Sequence, residues 1–178
     1  METSAHRIDH VLPAVPVRQW VLSFPWPLRW LFANRPEALT RVLAIVTRAI
    51  ETSLIKRAGQ SRQAGARGGM VTLIQRFGSS LNLNVHLHLL VLDGVFAPAQ
   101  GRQHFHTVAA PDTQTLQVLL ARIMARTLSC LARDGLLIRD DEQPWLDLEA
   151  RDALDSFSAA SVQYRVRWVL MQANEHGR

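Results

Sequence analysis

The sequence predicts an α+β protein, an antiparallel sheet with helices packed on one face. Three observations lead there. Pro36–Arg57 and Asp112–Arg133 repeat apolar residues at spacings of three and four, the period of a half-buried helix. Val17–Phe24, Met70–Phe77 and Val85–Leu92 are short runs rich in β-branched and other large apolar residues, as strands are. The last two runs are separated only by a Gly/Ser/Asn turn, and a turn that short joins antiparallel strands.

In chain order, residues 1–16 read as a flexible lead closed by Pro13 and Pro16. Val17–Phe24 is the first strand, stopped by Pro25; Pro25, Pro27 and Pro36 then break up the next segment. In the first helix Leu39, Val42, Leu43, Val46, Ala49, Ile50 and Leu54 form the apolar stripe. Pro36 suits its first turn and Gly59 its stop. Gln60–Gly69 is a Gly- and Arg-rich loop. Met70–Phe77, the turn Gly78–Asn84 and Val85–Leu92 make a hairpin ended by Asp93-Gly94. Gln103–Val108 suggests another short strand. Asp112 can cap the second helix and Gly135 can end it. An acidic loop, RDDEQPWLDLE, and a short helix over Ala150–Ser161 follow.

The chain has 178 residues, the length of one domain. Hydrophobic residues make up 48% and charged residues 20%, which argues against wholesale disorder. The lone Cys130 excludes an internal disulfide framework and a multi-Cys zinc finger, and fits a reducing cytosol. No run of 18 apolar residues predicts a membrane span, and the polar start METSAHRIDH does not read as a secretory signal. The net charge is +5, carried by nineteen Arg and one Lys. It is uneven: +8 over residues 1–126, −5 over 127–160 and +2 over the rest. Such a balance allows a nucleic-acid partner, and Arg binds phosphate in a fork that Lys lacks. An Arg-rich coding bias would produce the same composition.

The sharpest feature is His86-Leu87-His88 within a strand. Residues two apart on a strand share a face, so both imidazoles point one way, about 6.5 to 7 Å apart along the strand. Such a pair can share a divalent metal; it can also be two half-exposed histidines on the open face of a sheet. His104-Phe105-His106 sits between looser flanks and reads as a surface feature. A hairpin centred near residue 81 sets Arg76 opposite His86. A register one residue away sets Gln75 there instead, where it would add an oxygen ligand. Arg76 would otherwise hold a phosphate, and solvated strand polars are the alternative for both. Trp20, Trp26 and Trp30, with Arg18 and Arg29, are either core packing or a base-stacking surface, Trp20 being the one assigned to the core. Arg57, Arg62 and Arg67, on and beside the Gly-rich loop, are the better backbone-contact candidates.

The run GGMVTLIQRFGSSLNLNVHLHLLVLDGVF resembles the signature of rolling-circle insertion-sequence transposases. These are the two-tyrosine transposases of the insertion-sequence ninety-one type, in the HUH endonuclease superfamily. DHVLPAVPVRQWVLSFPWPLRWLFA, DGLLIRDDEQPWLDL and AASVQ are similar to that family too, so the resemblance covers roughly Asp9–Gln163. It implies the HUH palm over residues 17–163, with His86 and His88 as ligands of Mg²⁺ or Mn²⁺; the candidate for a third ligand remains the Gln75 of the register argument. It implies single-stranded DNA at the element's ends as substrate, a nucleoid-associated cytoplasmic location and no membrane partner. In the family a metal orients the scissile phosphate and a Tyr attacks it, leaving a 5′-phosphotyrosine.

The sequence departs from that pattern in three places. The family's Cys-rich zinc module has no counterpart beside the single Cys130. Tyr164, the only Tyr, does not match the nucleophile motif and reads as a packing aromatic. After about Val166 the text RWVLMQANEHGR leaves the pattern, so residues 164–178 read as a divergent tail from a frameshift or truncation. The expectation is a palm fragment of a transposase that is not cleavage-competent alone, with a full-length transposase chain as a possible partner. The competing expectations are a non-catalytic nucleic-acid-binding module and a degenerate reading frame.

Overall fold

The computed structural model describes residues 14–78, 83–139, 144–145 and 169–173. The order is β1 (Val17–Ser23), α1 (Trp26–Asn34), α2 (Pro36–Arg57), β2 (Met70–Phe77), β3 (Leu83–Leu92), β4 (Gly94–Ala99), β5 (Arg102–Thr107), α3 (Thr113–Arg133), β6 (Ile138–Arg139), β7 (Pro144–Trp145) and β8 (Val169–Ala173). The main sheet runs β2-β3-β1-β8, and β4-β5 and β6-β7 are separate antiparallel pairs. Its neighbours pair antiparallel throughout, as expected of the α+β class.

Alternation along the strands divides the sheet into two faces. Trp20, Leu22 and Phe24 on and just after β1, with Val85, Leu87, Leu89 and Val91 on β3, are buried. They form one core with Leu28, Leu31 and Phe32 of α1, Val42, Val46 and Ile50 of α2, and Leu119, Ile123 and Leu131 of α3. Phe24 and Phe32 meet edge to face, ring centroids 4.9 Å apart, which locks β1 to α1.

Both predicted helices form with their predicted caps. The Asp112 carboxylate accepts from the Thr115 N–H at 2.7 Å, supplying a partner to an otherwise unpaired helix-start donor. Gly59 and Gly135 both have positive φ, and the N–H groups of Gln60 and Leu136 reach back to the carbonyls of Ile55 and Leu131. That is the Schellman ending, which needs a residue tolerant of left-handed φ.

Helix α1 departs from expectation. The prolines begin helices here rather than breaking them: Pro25 is the N-cap residue and Pro27 lies in the first turn, where no N–H is needed. Arg35, held out of the helical region (φ −128°, ψ 79°) ahead of Pro36, separates α1 from α2. Strand β4 was also unexpected; Gly94 and Pro98 hide it from a propensity reading. Strand β5 falls where Gln103–Val108 suggested one. The predicted helix over Ala150–Ser161 lies outside the described residues. Strand β8, in the stretch read as a tail, extends the sheet beyond β1, with Val21 opposite Met171.

Among the described residues α3 is the one helix long and apolar enough to cross a membrane. Its buried residues Leu119, Ile123, Thr127 and Leu131 recur every four positions, the stripe of a core helix. Arg122 and Arg126 near its middle would each cost about 2.5 to 3.5 kcal/mol at a bilayer centre.

Candidate metal centre

The sheet face turned away from the described helices carries the histidine pair. Gln75 lies opposite His86 and Leu73 opposite His88 across β2–β3. Ser23 and Val21 face the same two histidines from β1. The hairpin therefore takes the register that sets Gln75, not Arg76, across from His86. Continued without interruption, the Phe77–Leu83 pairing would put Ile74 opposite His86; one extra β3 residue at the register shift between Gln75 and Phe77 brings Gln75 there instead.

The rings lie closer than the strand rise suggests, centroids 4.7 Å apart at 61°, because the side chains turn toward each other. His86 is 9% exposed, and its Nδ1–H donates to the Asn84 carbonyl at 2.6 Å. That bond leaves Nε2 as the ring nitrogen with a free lone pair. His88 lies between two amides: its Nε2 is 3.1 Å from Gln75 Oε1 and its Nδ1 is 3.2 Å from Gln19 Nε2. Gln75 Nε2 in turn donates to the Phe77 carbonyl at 2.9 Å, so the oxygen end of the amide is the end turned to His88. Burial, then the neighbouring His86, holds the His88 pKa below the ordinary 6.5, which favours the neutral ring that binds metals.

The donor set is thus two imidazoles and one amide oxygen from two adjacent strands. Among the described residues no group of three or more His, Cys, Asp or Glu could hold a metal ion, so the site has no carboxylate. Neutral imidazole and amide oxygen accept a divalent ion such as Mn²⁺, with further positions for water or phosphate oxygens. The residues present fit that ion better than Mg²⁺, which prefers carboxylates and water.

The arginines are distributed differently. Arg76 is exposed beside Gln75. Arg57 ends α2, and Arg62 and Arg67 lie on the loop leading into the other end of β2, where Met70 pairs with Val91. Five residues of β3 separate that point from His86, about 17 Å at strand rise. Arg62 pairs with Glu51 at 2.5 Å, Arg57 donates to the Ala109 carbonyl, and Arg67 donates to the carbonyls of Arg62 and Ala66. The backbone of Arg67 also bridges Phe96, tying the loop to β4. Trp20 is buried as expected, whereas Trp26 is 42% exposed. His104 is exposed and His106 half-buried on β5. Tyr164 lies outside the described residues. Gln19 escaped the sequence reading, because nothing local ties residue 19 to residue 88.

A family model, Y2_Tnp, described as "Putative transposase", matches residues 69–177. The match takes in β2, β3 and β8 and runs past Val166, where the resemblance noted above fades. No curated protein and no solved structure matches the chain. Gln75, His86 and His88 all fall inside the matched segment, which is more than half of the 178 residues, and the chain belongs to this transposase family.

Proposed function

We propose that this chain is the metal-holding palm of a rolling-circle, HUH-type transposase that acts on single-stranded DNA in the bacterial cytoplasm, at the nucleoid. The observation that carries the reading is the convergence of His86, His88 and Gln75 on the sheet face turned away from the described helices. His86 Nε2, His88 Nε2 and Gln75 Oε1 would hold Mn²⁺ or Mg²⁺. An ion held there would supply Lewis-acid polarisation of a phosphoryl oxygen. The chain's own residues do the rest: the Asn84 carbonyl orients His86, and Phe77 fixes the Gln75 oxygen. Arg76, exposed beside Gln75, would take a flanking phosphate. Arg57, Arg62 and Arg67 would receive the backbone farther along, within their existing contacts. The nucleophilic tyrosine is assigned to another segment or another transposase chain rather than to Tyr164.

The test is calorimetric titration of the purified chain with Mn²⁺, with and without a single-stranded oligonucleotide. One site is expected, weakened at least tenfold by His86→Ala or His88→Ala, with DNA binding that strengthens when Mn²⁺ is present. Absence of binding in the wild type, or equal binding in both variants, sinks the metal reading. A DNA affinity indifferent to the histidines and to Mn²⁺ would favour a non-catalytic binding module.

A further inference from the structure

We infer that Gln19 is a positioning residue for His88: its side-chain amide holds the ring at Nδ1, donating in the metal-free tautomer and accepting once Nε2 is given to a metal. The inference rests on the metal reading above and adds a residue to it from a different strand.

The argument follows from hydrogen-bond accounting. Neutral imidazole has one donor and one acceptor nitrogen. Gln75 cannot turn its NH₂ group to His88 without giving up the bond from Gln75 Nε2 to the Phe77 carbonyl at 2.9 Å. It therefore presents Oε1, and at 3.1 Å that oxygen accepts a proton from His88 Nε2. Nδ1 is then the acceptor, and Gln19 Nε2 donates to it at 3.2 Å. Each bond requires the other in the metal-free protein.

Metal ligation through Nε2 reverses this set. The Nε2 proton must leave and Nδ1 must carry the hydrogen instead. Gln19 accommodates the change by rotating its amide half a turn and offering Oε1 to the new Nδ1–H. Gln19 is held on β1, opposite Leu90, by the pairing of two central strands, so either orientation keeps the amide in reach of His88. Residues that orient a metal-bound histidine through its second nitrogen typically change metal affinity 10- to 100-fold when lost.

The test uses the full chain in three forms: wild type, Gln19→Met and Gln19→Glu. The ¹⁵N shifts of the His88 ring are read in the metal-free protein and with Mg²⁺, and Mn²⁺ affinity is read by calorimetry at pH 8. The metal-free wild type should carry the proton on Nε2. Gln19→Glu, which can only accept, should move it to Nδ1 without metal and bind Mn²⁺ at least as tightly. Gln19→Met should bind Mn²⁺ at least tenfold more weakly. A His88 ring that keeps the Nε2 proton in Gln19→Glu overturns the inference, as does an unchanged Mn²⁺ affinity in Gln19→Met. Should Gln19→Met fail to fold, Gln19→Glu alone decides. Should the wild type bind no metal, the metal reading falls separately, and the metal-free ring shifts still decide what Gln19 does.

Discussion

Replacing Leu87 by Ala tests the division of the sheet into two faces, on which the metal centre depends. Leu87 sits between the two histidines and is fully buried against the helices. The substitution removes three carbons, about 2.4 kcal/mol at roughly 0.8 kcal/mol per buried methylene. The cavity left in a core of interdigitated side chains adds to that, and buried Leu→Ala changes cost about 2 to 5 kcal/mol. A loss near 3 kcal/mol is expected, a large share of a domain stability of about 5 to 15 kcal/mol. At this chain length it lowers Tm by about 6 to 12 °C. Leu73→Ala is the control: Leu73 pairs with His88 on the face turned away from the described helices and is 59% exposed, so its loss should stay below about 1 kcal/mol. Urea titration followed by circular dichroism measures both, with the slopes compared to confirm a common unfolded state. Equal costs, or a larger cost at Leu73, would put the histidines on the core side and refute the reasoning.

Two further outcomes follow from the geometry. Gly94→Ala should destabilise by about 1 to 3 kcal/mol, because its Cβ would lie 2.3 Å from the His106 carbonyl oxygen and 2.6 Å from Phe105 Cζ; a neutral result in urea titration would contradict the β4–β5 register. Folded His88 holds its proton more weakly than the unfolded chain does, so its stabilising contribution is complete above about pH 6.5 and is lost as pH falls through its lower folded value. Melting temperature should therefore drop from pH 8 to pH 5 less steeply in His88→Gln than in the wild type, and parallel curves would show that His88 is not responsible.

Local chemistry made much of this molecule readable. Asp112, Gly59 and Gly135 mark helix ends by what their own side chains, or lack of them, allow the backbone to do. The two-residue spacing of His86 and His88 set them on one face whatever the rest of the fold. What stayed hidden depends on distant partners or on competing local rules. Pro25 and Pro27 carry the same signal whether they end a strand or start a helix, and the contact of Phe24 with Phe32 favours the helix. The hairpin register hangs on one displaced residue between Gln75 and Phe77. Gln19 joins the site across a separation of 69 residues, bridged only once β1 has found β3.

Strand β1 is flanked by β3 on one side and β8 on the other, and β8 follows it by roughly 150 residues. During synthesis from the N-terminus, one edge of β1 therefore stays bare until about 150 further residues have left the ribosome. An unpaired edge bearing Trp20, Val21 and Leu22 is a template for wrong partners. Closing so long a loop is also entropically slow. The strand that contributes Gln19 is thus the one most exposed to mispairing before β8 arrives, so production of this protein should gain from slow synthesis at low temperature.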